Sequence, residues 1–316
     1  MASLTLKRTG QKMPQIGLGV WKIVYNAIKS GYRLFDGAAD YQNEAEAGEG
    51  IRRAISEGIV KREDIFVTSK IWNTDHRREH VAQAARHQLG LWGLDSLRRD
   101  DFALIEFDLL LVHFPCSLKH TGIPERFASG WYNDEAQTKI ELDNVPFQET
   151  WEAMEKLVDE GIATNIGVSN MASSLLCDVH RYARIPPQVL QIEVHPYLTQ
   201  DALVSYAQNV HGLAVTAYSS FAAEGWYEIG ASKDIKSLFQ QEVIIKIAEK
   251  HQKTPAQITL AWATNRGMAV IPKTSNQTRL LENLSVTDIK LSQDEIKAIS
   301  SLNINLRDRM LTGFCE

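Results

Sequence analysis

The chain has 316 residues, of which 44% are hydrophobic and 23% are charged. This balance is typical of a globular protein with a large buried core. Because the length suits one α/β barrel, we expect residues 1–316 to form a single domain. The formal net charge of −5 at pH 7 argues against surfaces that bind nucleic acid or membranes. A ligand that carries phosphate would therefore have to be bound by a local group of basic residues.

The N-terminus and the cysteines predict a cytoplasmic protein without a metal site. Residues 1–14 lack the apolar core of a signal peptide, and no stretch reaches the roughly 18 apolar residues of a membrane span. The three cysteines are too few and too scattered for a disulfide framework or a thiolate metal site. The HRREH motif at residues 76–80 lacks a glutamate directly after its first histidine, so we assign no metal to it.

Taken in chain order, the apolar runs predict a hairpin followed by eight strands. The hairpin turns at Thr9 and Gly10, and the first barrel strand ends near Trp21. Near-continuous apolar runs that alternate with helical periodicity indicate parallel strands covered by helices. The later strands are predicted at residues 32–36, 65–69, 107–113, 164–168, 189–194, 213–218 and 268–272. Helices are predicted at residues 43–56, 76–92, 146–160, 171–182, 199–208 and 241–266, the last interrupted near Pro255.

This alternation predicts a (β/α)8 TIM barrel, of class α/β, with an N-terminal β-hairpin. Two long connections, residues 116–145 and 219–240, follow the fourth and seventh strands. Both leave from C-terminal strand ends, so we expect these long βα loops to lie over the C-terminal face. Barrels of this kind carry their active sites on that face.

Four polar residues at strand ends predict a site for proton transfer. Asp36, Lys70 and His113 each close an apolar run, and Tyr41 follows the first of these runs. A neighbouring ammonium lowers the pKa of a tyrosine, so Lys70 could activate Tyr41 as an acid. Asp36 would hold Lys70 in place, and His113 could donate to a carbonyl oxygen. Each residue alone is also explained as a cap or a solvated charge, but the four together favour the protonation of a carbonyl oxygen.

A second cluster, at residues 269–283, predicts a phosphate site. A strand ends at Lys273, and a helix begins around Asn276, whose amide groups and dipole favour an anion. Barrel enzymes often bind phosphate after their last two strands. The alternative is an ordinary capped helix with surface charges. Cations and hydroxyl donors are supplied by Lys273, Arg279, Thr274 and Ser275.

Several motifs resemble those of the aldo-keto reductases, in particular the fungal aldose (D-xylose) reductases. The resemblance covers roughly residues 4–307, with the motifs in the order of that family. They are GYRLFDGAADYQNE (31–44), TSKIWN (68–73), LLLVHFP (109–115), GVSN (167–170), QIEVHPY (191–197), AYSSF (217–221) and IPKTSNQTRLLEN (271–283).

The resemblance implies a nicotinamide coenzyme, NADPH (NADP+), with some use of NADH. Tyr41 would be the general acid, with Asp36, Lys70 and His113 as its partners. One loop residue, Glu228, matches a ribose-binding glutamate in yeast reductases that accept both coenzymes. The other residues that would hold the coenzyme come from the later strands and the segments that follow them. For the nicotinamide these are Ser169, Asn170, Gln191 and Tyr218; for the pyrophosphate Ser219 and Ser220; for the adenosine phosphate and adenine Lys273, Thr274, Ser275, Arg279, Glu282 and Asn283.

The resemblance also implies reduction of an aldose, D-xylose or L-arabinose, to its alditol. The sugar pocket would contain Asp40, whose carboxylate suits a polyol chain, together with Trp21, His113, Phe114, Asn305 and Arg307. Two alternatives remain open: a reductase of another carbonyl, such as a uronate, a ketone or a small aldehyde, or a coenzyme-binding regulatory barrel with little turnover. We expect a monomer or a homodimer, and we expect neither nucleic acid nor membrane as a partner.

The chain departs from the family pattern at three places, of which the first and the last border the predicted sugar pocket. The chain is about ten residues short between Lys22 and Val24, carries an insertion at residues 96–106, and diverges after Arg307. We interpret these departures as irregular exon boundaries or gene-model artefacts rather than evolved features. A sequenced transcript that retains residues 96–106 unchanged would contradict this interpretation.

Overall fold

The fold begins with a two-stranded antiparallel hairpin. The structure is a computed structural model. It describes residues 2–20, 23–93, 106–122, 131–132, 138–222 and 235–307. Strand β1 (Ser3–Thr5) pairs with β2 (Lys12–Pro14). Gly10 turns the chain with a φ of 71°, which glycine adopts without steric cost. The predicted turn at Thr9 and Gly10 is confirmed.

Eight parallel strands form the barrel in the described part of the chain. Neighbouring strands pair in sequence order from the first to the last. A parallel bridge between Ile16 and Val270 closes the ring, and Gly17 N donates to Val270 O over 2.9 Å. The prediction of a (β/α)8 barrel is confirmed. The strands are β3 (Leu18–Gly19), β4 (Leu34–Asp36), β5 (Phe66–Ile71), β6 (Phe107–Val112), β7 (Ala163–Ser169), β8 (Val189–Glu193), β9 (Ala214–Tyr218) and β10 (Met268–Val270).

Helices connect the strands, close to the predicted positions. The predicted break near Pro255 is confirmed, because Thr254 caps a new helix there and its Oγ accepts from Gln257 N over 3.2 Å. The short first helix and the last helix below were not predicted. The helices are α1 (Val24–Ser30), α2 (Glu44–Ser56), α3 (Arg78–Trp92), α4 (Phe147–Asp159), α5 (Ser173–Tyr182), α6 (Asp201–Ser205), α7 (Glu242–His251), α8 (Pro255–Asn265), α9 (Gln277–Leu284) and α10 (Gln293–Ser300).

The barrel interior is apolar at its N-terminal end and polar at the C-terminal ends of the strands. Leu34, Phe66 and Leu111 pack together with Leu6 and Met13 of the hairpin, which therefore covers the N-terminal end of the barrel. Side chains on a strand alternate between its two faces. On each strand, the positions that point inward therefore run from this apolar cluster to the C-terminal end of the strand.

Among the residues that the structure describes, no helix combines the length and the apolar character needed to cross a bilayer. Within the same ranges, no group of three or more His, Cys, Asp or Glu side chains is arranged to hold a metal ion.

Candidate active site

The four residues predicted from strand ends lie together at the C-terminal rim of the barrel. Asp36 ends β4, Lys70 is the penultimate residue of β5, and His113 directly follows β6. Each of them lies an even number of positions after an apolar residue of the same strand that faces the barrel interior. Because side chains alternate between the two faces of a strand, each of the three also points into the barrel. Tyr41 ends the 3₁₀ turn Ala39–Tyr41 that follows β4.

Lys70 lies at the centre of this group and is 0% exposed. Its Nζ is 2.5 Å from Asp36 Oδ1, donates to Gly37 O over 2.8 Å and lies 3.5 Å from the Tyr41 hydroxyl. The other carboxylate oxygen of Asp36 accepts from Gln191 Nε2 over 2.6 Å. An ammonium has three protons to donate, so these contacts fix both its position and its charge.

The charges in this group set the pKa of Tyr41. Burial raises the pKa of the phenol, the Lys70 ammonium lowers it and the Asp36 carboxylate raises it, and the net direction is upward. Lys70 lowers this pKa, as we expected, but it does not bring the pKa below its ordinary value. Asp36 offsets much of the charge of Lys70, and desolvation disfavours the phenolate. At neutral pH the phenol therefore keeps its proton and can act as a donor.

Lys70 itself stays charged despite its burial. Desolvation acts to lower the pKa of Lys70, but the Asp36 carboxylate and the Tyr41 phenol outweigh it, and the pKa lies above its usual value. The site thus holds a permanent cation next to the phenol oxygen. Such a cation stabilises the negative charge that the phenol oxygen gains as it releases its proton.

Aromatic rings form an apolar wall beside this group. The ring centroids of His113 lie 6.0 Å from Tyr41 and 5.1 Å from Trp72, and those of Phe114 lie 4.9 Å from both His113 and Trp131. Trp72 is fully buried. Sequence reasoning did not single out Trp72, although it lies in the TSKIWN motif. These rings pack around the imidazole of His113, which is buried.

The residues predicted to hold the nicotinamide are linked to this group by hydrogen bonds. Asn170 Nδ2 donates to His113 O over 2.8 Å, and the Tyr218 hydroxyl donates to Asn170 Oδ1 over 2.7 Å. Ser169 Oγ donates to Gln191 O over 2.9 Å. The structure therefore brings Ser169, Asn170, Gln191 and Tyr218 to the same rim. The amide nitrogen of Gln191 bonds to Asp36, a contact that the sequence did not predict.

The predicted phosphate cluster differs from expectation in one respect. Asn276 caps α9, and its Oδ1 accepts from Thr278 N over 2.9 Å and from Arg279 N over 3.1 Å. We expected free amide donors here, and that expectation is wrong for these two amides. Lys273 and Arg279 are exposed, so an anion at this position would be met mainly by side chains.

The remaining predicted coenzyme residues are found near these elements. Ser219 adopts a φ of 48°, and the buried Ser220 donates its hydroxyl to Ala217 O over 3.3 Å. On α9, Asn283 is buried and Glu282 is half-buried. Thr274 Oγ accepts from Asn276 N over 3.2 Å, whereas Ser275 is exposed. Glu228 lies outside the described residues.

The predicted sugar-pocket residues are described in part. Burial raises the pKa of the Asp40 carboxyl to about 6. Asn305 has a φ of 53°, and the next residue, Leu306, donates its backbone N–H to Tyr197 O over 2.9 Å. Arg307 is exposed. Trp21 lies outside the described residues.

Comparisons with known proteins agree with this geometry. Residues 19–304 match the Aldo/keto reductase family. The chain belongs to this family, and the resemblance predicted from its motifs is confirmed.

Individual relatives match nearly the whole chain. The probable NAD(P)H-dependent D-xylose reductase of Emericella nidulans is 52% identical, with 97% of this chain and 96% of that protein covered. A protein of the same description from Aspergillus clavatus is 51% identical, with coverage of 97% and 92%. The solved structure of the aldose reductase from Schistosoma japonicum matches with a TM-score of 0.84 at 37% identity, covering 98% of this chain and 95% of that one.

Proposed function

We propose that this protein reduces an aldose, D-xylose or L-arabinose, to the corresponding alditol, using NADPH. The observation that carries the proposal is the buried Lys70, 2.5 Å from Asp36 and 3.5 Å from the Tyr41 hydroxyl at the rim of the barrel. This arrangement delivers one proton to a carbonyl oxygen. The names of the fungal relatives support an aldose as the carbonyl compound.

The residues of the rim fit a nicotinamide coenzyme. Amide side chains and a phenol, those of Asn170, Gln191 and Tyr218, suit a carboxamide and an aromatic ring, and the exposed cations Lys273 and Arg279 suit a phosphate. The hydroxyls of Ser219, Thr274 and Ser275 supply further donors. When bound, the coenzyme supplies the hydride for the carbonyl carbon. We propose NADPH as the preferred coenzyme because two cations accompany these hydroxyls.

The chain itself supplies the proton and the orientation of the substrate. The Tyr41 hydroxyl donates its proton to the carbonyl oxygen, and Lys70 stabilises the charge left on the phenol oxygen. Asp36 keeps Lys70 in place. The His113 imidazole, fixed against Trp72, directs the carbonyl oxygen towards Tyr41. Asp40 accepts hydrogen bonds from hydroxyl groups of the sugar.

Oxidation of NADPH by the purified protein tests this function. D-xylose, L-arabinose and DL-glyceraldehyde are compared as substrates, and the series is repeated with NADH. We expect turnover of both pentoses, faster with NADPH. Turnover of glyceraldehyde without pentoses would favour a reductase of another carbonyl compound. Quenching of tryptophan fluorescence by NADPH without turnover of any substrate would favour a regulatory barrel.

The organisation of the protein is part of the same proposal. Strands β3 to β10 belong to one sheet, which supports a single domain over residues 1–316. We propose that the protein acts in the cytoplasm as a monomer or homodimer. Gel filtration of the purified protein distinguishes the two states.

Replacement of Arg279 by alanine should weaken the binding of NADPH more than the binding of NADH. A charge-assisted contact to phosphate contributes about 1.5–3 kcal/mol, so we expect the KM for NADPH to rise at least about tenfold while that for NADH changes little. Arg86→Ala is the matched control, because Arg86 is exposed on α3 and pairs with Glu160. Equal changes for both coenzymes would contradict the assignment of Arg279 to the phosphate.

The raised pKa of Asp40 should make sugar recognition depend on pH. Because this pKa is about 6, the charged fraction of the carboxyl rises from about one tenth to about nine tenths between about pH 5 and pH 7. We expect the KM for D-xylose, divided by that for glyceraldehyde, to fall about tenfold over this range. The ratio cancels effects on the shared chemistry. Asp40→Asn should remove the dependence, and a dependence that persists in this variant would assign it to another group.

A further inference from the structure

A buried polar cluster lies behind Lys70, on the outer face of β5. It consists of Glu44 of α2, Ser69 of β5, and Gln88 and Trp92 of α3, and we call it the Glu44 cluster. None of these four side chains is more than 2% exposed. Because successive residues of a strand point to opposite faces, Ser69 points to the helix layer while Lys70 points into the barrel.

The hydrogen bonds of the cluster converge on one carboxylate. Glu44 Oε1 accepts from Ser69 Oγ, and also from Trp92 Nε1 over 2.7 Å. Gln88 Nε2 lies 3.3 Å and 3.4 Å from the two oxygens of Glu44. It also lies 3.0 Å from both Ser69 Oγ and Lys70 O. The cluster therefore reaches the backbone of the lysine that forms the centre of the site.

Burial of the Glu44 carboxylate costs desolvation free energy. This cost argues against a residue that serves only to fill space in the core. Burial raises the pKa of Glu44 to about 6, although hydrogen bonds from Ser69, Trp92 and Gln88 and the charge of Lys70 all lower it. An apolar residue of similar size would avoid this desolvation.

The cluster joins the two segments that carry the proton donor and its cation. Glu44 begins α2 three residues after Tyr41, and Ser69 directly precedes Lys70. The Tyr41 hydroxyl lies 3.5 Å from Lys70 Nζ, at the outer limit of a hydrogen bond. A small shift of the Tyr41 segment relative to β5 would therefore break this contact. The hydrogen bonds of Glu44 to Ser69 and Gln88 oppose such a shift.

We propose that Glu44 is a positioning residue for proton transfer. Through Ser69 and Gln88 it fixes the Tyr41 phenol at the distance from Lys70 that the reaction needs. The inference rests on the proposed reductase function, and it adds to that function a residue outside the substrate and coenzyme contacts.

Substitution of Glu44 tests the inference in the full-length protein at about pH 7.5. Glu44→Gln keeps acceptors for Ser69 and Trp92 but removes the charge, and Ser69→Ala keeps the charge but removes one link. We expect kcat/KM for D-xylose to fall about tenfold in each, since misplacement of reacting groups by about 1 Å can cost about 10²-fold. The KM for NADPH should stay within about twofold. The solvent deuterium isotope effect on kcat/KM should rise, because proton transfer becomes slower relative to other steps.

Glu155→Gln is the matched control. Glu155 is a buried glutamate of α4 whose Oε1 accepts from Ile185 N over 2.8 Å, so its replacement also removes a buried charge. We expect it to change stability without raising the isotope effect. If Glu44→Gln fails to fold, Ser69→Ala supplies the measurement.

Several outcomes would overturn the inference. One is a folded Glu44→Gln variant with the turnover and isotope effect of the wild type. Another is an equal rise of the isotope effect in Glu155→Gln, or a loss of NADPH affinity that accounts for the whole loss of turnover. Absence of turnover in the wild type would overturn the proposed function, and this inference with it.

Discussion

Replacement of Tyr41 by phenylalanine is expected to lower kcat for D-xylose by about 10²- to 10⁴-fold, the usual contribution of a general acid. The substitution removes the hydroxyl that lies 3.5 Å from Lys70 Nζ and leaves the ring that packs at 6.0 Å from His113. The affinity for NADPH should therefore be retained. Steady-state oxidation of NADPH measures the first effect, and quenching of tryptophan fluorescence on titration with NADPH measures the second.

The pH dependence of the wild type belongs to the same prediction. Because the pKa of Tyr41 is raised above its ordinary value and the protonated form is the donor, kcat should fall as the pH rises far into the alkaline range and not at neutral pH. Tyr25→Phe is the control, since Tyr25 bonds to Glu57 at the surface. A Tyr41→Phe variant with near-normal turnover would show that another group, such as His113, protonates the substrate.

The barrel could be predicted because its signal is local. Each parallel strand is an apolar run bounded by polar residues, and each predicted strand end lies within a few residues of the observed one. Helix α10 was missed although Ser292 and Glu295 form a capping box, which is a recognisable helix start. Helix α1 has seven residues and no side-chain cap, so its sequence carried little signal.

The candidate site could be predicted where the fold dictates proximity. Parallel strands bring their C-terminal ends to one rim, so Asp36, Lys70 and His113 had to meet. The roles assigned to them stay predictions. The Glu44 cluster could not be found in this way, because Gln88 and Trp92 come from a helix whose packing against β5 is a tertiary property. The net direction of the pKa shift of Tyr41 could not be predicted either, because it depends on a balance of desolvation and charge that sequence spacing does not give.

Replacement of Lys70 by methionine should affect both activity and folding. The variant retains the Asp36 carboxylate, which is 1% exposed, without the ammonium that lies 2.5 Å from it. Breaking a buried ion pair in this way typically costs about 3–5 kcal/mol. We therefore expect a decrease of about that size in the free energy of unfolding, measured by urea denaturation. Turnover should fall by at least about 10²-fold, because no cation would stabilise the phenol oxygen of Tyr41.

The double variant with Asp36→Asn separates the two effects. Asparagine is neutral, and its amide oxygen can still accept from Gln191 Nε2, which donates to Asp36 in the wild type. The unpaired charge is then removed, so most of the lost stability should return while turnover stays low. A double variant as unstable as Lys70→Met would mean that the lost hydrogen bond from Lys70 Nζ to Gly37 O, and not the unpaired charge, causes the loss of stability. Recovery of turnover would mean that Tyr41 needs no neighbouring cation, and the proton-transfer scheme proposed for this site would be wrong.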